Sequence, residues 1–280
     1  MAADDSIHFH ILEDIARDLS GDVNFPTCLD AAILVRNTLK DPAVSLEFVV
    51  QVIGSEPLIA SKLLRLANSI SHNPYGDVIS NLSAAVGRLG FDIVRTTALA
   101  VSMDQMLRSR HLAAYDRISR QTWAYSVELA AIARTLARHL GGISPDAAML
   151  AGLVRHIGIF YLMYRAAEYP QYRNDVSAMI ELLNGWHEGI GESLLHILGL
   201  PEVISDAIRD QSHRASVAAP ATISNALRIA TQLADSPLDW LTGQPESAGM
   251  LMTDAERASY ADILLEAQDD MADLRSALAS

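Results

Sequence analysis

EPLIASKLLRLANS, residues 56–69, reads as one complete helix with both of its ends marked. Pro57 suits the first turn, where its missing N–H breaks no intrahelical bond. Leu58, Ile59, Leu63, Leu64, Leu66 and Ala67 recur at three and four residues, the spacing of one helical face. Asn68 falls where the helix must stop, and its amide can bond freed carbonyls or a neighbouring loop. The polar run to Asp77, with Asn73, Pro74 and Gly76, is the turn that follows.

The same punctuation extends in both directions. Upstream, Ser45 can cap a helix carrying Leu46, Val49, Val50 and Ile53 and ending at Gly54, and Ile7, Ile11, Leu12, Ile15 and Leu19 form the face of an opening helix that stops at Gly21. Downstream, a segment over 82–90 closes on Gly87 and Gly90, followed by a helical pattern over 93–107. Further helices are expected at 112–140, ended by Gly141 and Gly142, and at 145–164, opened by Ser144, Pro145 and Asp146. Others follow at 172–184, 187–198, 201–212 and 220–234. Thr253 and Glu256 form a capping box for the last helix, while 236–252, with Pro237, Gly243, Pro245 and Gly249, reads as a loop. No strand alternation appears, so the expected class is all-α, a multi-helical bundle with an N-terminal helical subdomain. A length of 280 residues fits one large core or two packed subdomains. The boundaries expected are 1–21 for an N-terminal helix, 22–110 for the first subdomain, 111–235 for the second, and 236–280 for a loop and terminal helix.

A net charge of −13 gives a surface that repels phosphate backbones, so neither nucleic acid nor an anionic membrane is expected as a partner. The apolar region 147–164 is interrupted by Arg155 and His156, which makes it a buried helix rather than a membrane span. The first residues carry Asp4, Asp5, Glu13, Asp14 and Asp18, which is not the charge order of a signal peptide; a cytoplasmic location is expected. Cys28 is the one cysteine, which excludes an intramolecular disulfide and any cluster of several thiolates, and it reads as a small core residue.

Phe25-Pro26-Thr27, Asp41-Pro42, the 56–69 stretch and AVGRLG (85–90), in that order and spacing, resemble the HDOD family of bacterial regulatory proteins. The most specific piece is the Leu-Ala-Asn-Ser that ends in Asn68 and Ser69. WAYSVELAAIARTLA (123–137), AAMLAGLVRHIG (147–158), WHEGIGESLLHILGLPEVISDAI (186–208) and IATQLAD (229–235) carry the likeness on to the HD and HD-GYP metal-dependent phosphohydrolases, so that it spans roughly 22–235. For the enzymatic relatives the resemblance implies two metal ions held by histidines and a bridging carboxylate, with a metal-bound water as nucleophile.

Those relatives read Leu-Leu-His-Asp-Ile-Gly where this chain has Leu153-Val154-Arg155-His156-Ile157-Gly158. A guanidinium is always protonated and offers only donors, so Arg155 cannot ligate a metal and the bridging acid is gone. At ~4 Å a like charge costs about 1 to 4 kcal/mol, enough to weaken metal binding tenfold or more. Tyr125 stands where the resemblance places another histidine; Gln211 and Ser212 occupy the place of a histidine pair, with His213 shifted by one. His187 and Asp235 match, and with His156 they are the residual candidates for an ion.

No catalytic residue, cofactor or metal is therefore expected. The resemblance implies a non-catalytic signal-transduction module that binds a signalling protein partner or a small phosphorylated ligand, the latter through Arg155 in the old cavity. The alternative is a divergent phosphohydrolase acting on a nucleotide or cyclic dinucleotide. His8, His10, His72, His111, His139 and His196 share no ligand spacing and read as surface or interhelix residues. Arg134, Arg138 and His139 form a basic cluster that the dipole at a helix C-terminus alone explains. Trp123, Trp186, Phe160, Tyr161 and Tyr164 lie at helical spacing and are expected in the core.

Overall fold

The computed structural model describes residues 4–20, 29–74, 76–212, 222–235, 238 and 252–278, the side chains of 4–8, 20, 211, 212, 277 and 278 excepted. Among these residues every regular element is a helix. In order they are α1 (Asp4–Ser20), α2 (Asp30–Thr38), α3 (Leu46–Gly54), α4 (Pro57–Ala67), α5 (Leu82–Leu107), a 3-10 turn (Arg110–Tyr115), α6 (Asp116–Leu140), α7 (Pro145–Val154) and α8 (Ile157–Ala166). Then come α9 (Pro170–Asn174), α10 (Val176–Ile197), α11 (Glu202–Ser212), α12 (Ile223–Leu233), α13 (Asp254–Ala258) and α14 (Ala261–Leu278).

The starts are set by side chains that accept from otherwise unpaired N–H groups. Ser45 accepts from Phe48 N at 3.2 Å, Ser144 from Ala147 N at 3.2 Å, and Asp175 from Ser177 N and Ala178 N at 2.9 and 3.0 Å. At α13 the box is reciprocal: Glu256 N donates to Thr253 Oγ1 at 3.2 Å and Thr253 N donates to Glu256 Oε2 at 2.8 Å. Asn68 closes α4 by donating to Leu64 O and Ile79 O, each at 2.8 Å, and accepting from Ile79 N at 2.8 Å, so one amide ties the helix end to the chain that returns beside it.

Helix α2 is not among the elements expected from the sequence, the expected last helix is two, α13 and α14, and three further boundaries differ. The segments over 82–90 and 93–107 join as α5 across a kink at Gly90, whose φ of 77° is the left-handed region that favours glycine. The single helix expected at 145–164 is two, α7 and α8, parted at Arg155 and His156, although neither glycine nor proline marks the break. Conversely, 172–184 and 187–198 run through as α10, because Gly185 lies on an open face where a glycine costs only about 1 kcal/mol, while Leu182, Leu183 and Leu194 stay buried on the other. The 236–252 loop lies outside the described residues apart from Leu238 and Met252, as do Cys28 and the Phe25-Pro26-Thr27 motif.

Two groups of buried apolar side chains fill the interior. Val35, Val49, Ile53, Leu63, Val86 and Val94 from α2–α5 form one, and Tyr125, Phe160, Tyr161, Leu182, Leu194 and Leu227 belong to the other. Helix α6 serves both: Val127 and Ala130 join the first, Leu129 and Ile132 the second. Gly152 lets α7 meet it backbone to backbone, since a Cβ there would fall 2.7 Å from Ala130 Cα. The stretch Pro145–Ala166 is long and apolar enough to cross a bilayer, yet 83% of that window is buried inside the protein.

Candidate functional site

The break between α7 and α8 places Arg155 and His156 against the middle of α6. His156 is 3% exposed, and its ring lies against Tyr125, fully buried, with centroids 5.3 Å apart and planes at 38°. Ser126 Oγ donates its one proton to Thr122 O at 2.9 Å, which leaves its oxygen to accept from His156 Nδ1–H at 3.4 Å. The histidine at the old aspartate position is thus a core residue held by a hydroxyl and a phenol ring. Arg155 beside it is partly buried.

Gly158 does a different job. A Cβ on it would sit 2.0 Å from His187 O and 2.8 Å from Gly191 N, so α8 and α10 touch there through bare backbone. That crossing brings His187 to the same end of the bundle as His156. His187 Nδ1 donates to Leu183 O at 2.7 Å, one turn back on its own helix, and the ring is half-buried.

Asp235 follows α12 and is turned outward, with its side chain 82% exposed. Its backbone N donates to Glu128 Oε1 at 2.8 Å, and its Oδ1 accepts from Arg257 Nη2 at 2.5 Å. Arg257, on α13, also donates to Gln232 O and Leu233 O, both at 2.8 Å, and so closes the end of α12. Burial pushes the Glu128 carboxyl above its ordinary range; the bond from Asp235 N works against that shift, and the neighbouring Asp235 charge adds to it. Neither Glu128 nor Arg257 stands out in the sequence, because each is known only by what it touches across more than twenty residues. The side chains of Gln211 and Ser212 and all of His213 lie outside the described residues.

The described residues do not fit a dimetal centre. A fixed cation occupies the first signature position, the second is sealed in the core, and the exposed carboxylate of Asp235 is turned outward to an arginine. Among the described residues no three His, Cys, Asp or Glu side chains converge on one point.

The HDOD domain profile matches residues 25–214, well over half of the 280. The chain belongs to the HDOD family. Its fold recurs in a Shewanella amazonensis SB2B protein named for an expected metal-dependent phosphohydrolase activity, at 20% identity and a TM-score of 0.70 over 98% of this chain and 100% of that one. It also recurs in a Geobacter sulfurreducens HDOD domain protein of unknown function, at 19% identity and a TM-score of 0.59 over 95% and 98%. A third likeness is a Marinobacter aquaeolei VT8 protein named for an expected role in signal transduction, at 18% identity and a TM-score of 0.58, where the match covers 98% of this chain and 66% of that one. Among curated proteins none matches the chain.

A second polar centre of this HDOD protein lies on the other side of α6, and here the sequence reading is corrected. Arg134, Arg138 and His139 do stand near a helix C-terminus, but carboxylates of α14, not the dipole alone, hold them. Asp270, 2% exposed, accepts at Oδ1 from Arg134 Nη1 at 3.1 Å and at Oδ2 from Thr135 Oγ1 at 3.1 Å and from Arg138 Nη2. Glu266 accepts from Arg138 at 3.0 Å and His139 Nε2 at 2.7 Å. Of the remaining histidines, His111 stacks on Tyr164 with centroids 4.6 Å apart, and His10 and His196 are exposed. Trp186 is 48% exposed, against the expectation of a core residue, because its position on α10 faces a groove of about 930 Å³ beside α1 and α11.

Proposed function

We propose that this HDOD chain is a non-catalytic regulatory module that acts by binding a signalling protein. The observation that carries the reading is the signature itself: Arg155 supplies no lone pair, and His156 is enclosed by Tyr125 and Ser126. Family membership supports a regulatory setting, and Asp235, the carboxylate that the HD pattern retains, is turned outward to Arg257.

The deciding experiment is metal analysis of protein purified without chelator, run beside phosphodiesterase assays on nucleotide and cyclic dinucleotide substrates. Metal well below one equivalent and no turnover are expected. Stoichiometric iron, manganese or nickel, with turnover abolished in His187→Ala and Asp235→Ala, would overturn the proposal in favour of a divergent phosphohydrolase.

A further inference from the structure

The carboxylates of α14 lie along one side of the helix: Glu266, Asp270 and Asp273 fall at i, i+4 and i+7, and beside them Ala267, Met271 and Leu274 repeat the same spacing on the buried edge. The receiving surface has two parts. One is the last two turns of α6, with Arg134, Thr135, Arg138 and His139. The other is the end of α4 and the residues after it, where Ser71 donates through its backbone N and its Oγ to Asp273 Oδ2 at 3.2 and 2.6 Å, and Arg65 Nη1 donates to Ser276 O at 2.6 Å.

The two parts are joined through His72. Arg134 Nη2 can only donate, so His72 Nε2 accepts from it at 3.0 Å, and Nδ1 then carries the proton that it gives to Ser69 Oγ at 3.1 Å. The Leu-Ala-Asn-Ser motif therefore ends in a hydroxyl that accepts from the histidine whose tautomer Arg134 sets.

Charge adds to apolar packing at this seat, where Ala267 and Leu274 are buried. With α14 in place, Arg134 and Arg138 pair with Asp146, Glu266 and Asp270; of these three carboxylates only Asp146, at 3.6 Å from Arg134, lies outside α14. A cavity of about 110 Å³ remains between α14 and α6, lined by Glu128, Ala131, Asp235, Leu264, Gln268 and Met271 among others.

We propose that this face is a receptor for an acidic amphipathic helix, which α14 fills in cis, and that a protein partner bearing such a helix engages the chain by displacing α14. The inference rests on the protein-binding reading above and names the chemistry of the partner. Tethering gives α14 a high local concentration, so an incoming helix competes poorly until the cis contact is weakened.

A labelled peptide of residues 261–278 serves as the probe, added to the full chain and to a Glu266→Gln, Asp270→Asn variant of it. At least tenfold tighter binding to the variant is expected, and loss of that gain when Arg134→Gln and Arg138→Gln are added. Equal affinity of a folded variant and the wild type would overturn the proposal. Should the variant fail to fold, hydrogen exchange on the wild-type chain decides: α14 amides are expected to exchange through an opening that leaves α6 protected, and exchange of both only on global unfolding would overturn it. Neither result touches metal content or turnover, so a failure here is distinguishable from failure of the regulatory reading.

Discussion

Asp235 and Asp270 are two carboxylates that each meet an arginine near the C-terminal end of the chain, and they differ in almost everything that determines what such a pair is worth. Asp235 is 82% exposed and binds Arg257 at the surface. Asp270 is 2% exposed and receives two guanidiniums and the hydroxyl of Thr135. The first fits the metal-ligand pattern of the family; the second fits no pattern. A carboxylate's place in a motif and its weight in the structure are independent, because water screens the one and leaves the other to its neighbours.

The widest gap is expected on removing each acid. Asp270→Ala takes from the buried Arg134 its nearest carboxylate and from Arg138 one of two, and should cost about 3 kcal/mol, read as a lower urea midpoint. A change under 1 kcal/mol would mean that water reaches the node and the contrast with Asp235 is false. A smaller effect sharpens the same side of the comparison. Burial, reinforced by Arg134, lowers His72 from its ordinary 6.5 to about 4; Arg138 acts in the same direction, and Asp270 and Asp273 oppose it. Between those values the unfolded chain takes up a proton that the folded chain refuses, so stability drops as pH falls from 6.5 towards 4 and this contribution levels off below. After allowance for partial solvent screening the effect is about 2 kcal/mol, and His72→Gln should flatten that part of the stability–pH curve. The smallest change belongs to the other side: Asp235→Asn is expected to move the urea midpoint by less than about 1 kcal/mol, the usual worth of an exposed pair.

What the sequence discloses follows the range of the interaction that makes it. Helix starts at Ser45, Ser144 and Thr253 are legible because a cap and the N–H that it serves lie within three residues. The parting of α7 from α8 is not, since neither glycine nor proline marks it within 145–164 and packing decides where the chain bends. Through-running α10 is hidden for the opposite reason: Gly185 falls in the gap expected between 184 and 187 but faces open space. That the signature is altered can be read from its letters, because protonation of arginine is a property of the residue. The burial of His156 and the grip of Arg257 on Asp235 come from tertiary contacts, and the bond from Arg134 to Asp270 spans 136 positions. No local spacing could announce it.

Gly158 shows where the fold and the reaction part company. Three residues upstream, at Arg155, the chain carries a fixed positive charge in place of a lone pair and the bundle still closes. At Gly158 a single methyl group would prise α8 from α10, whatever ion or partner the protein serves. Architecture and chemistry are inherited separately across three residues of chain, and a glycine of this kind testifies to ancestry without testifying to activity.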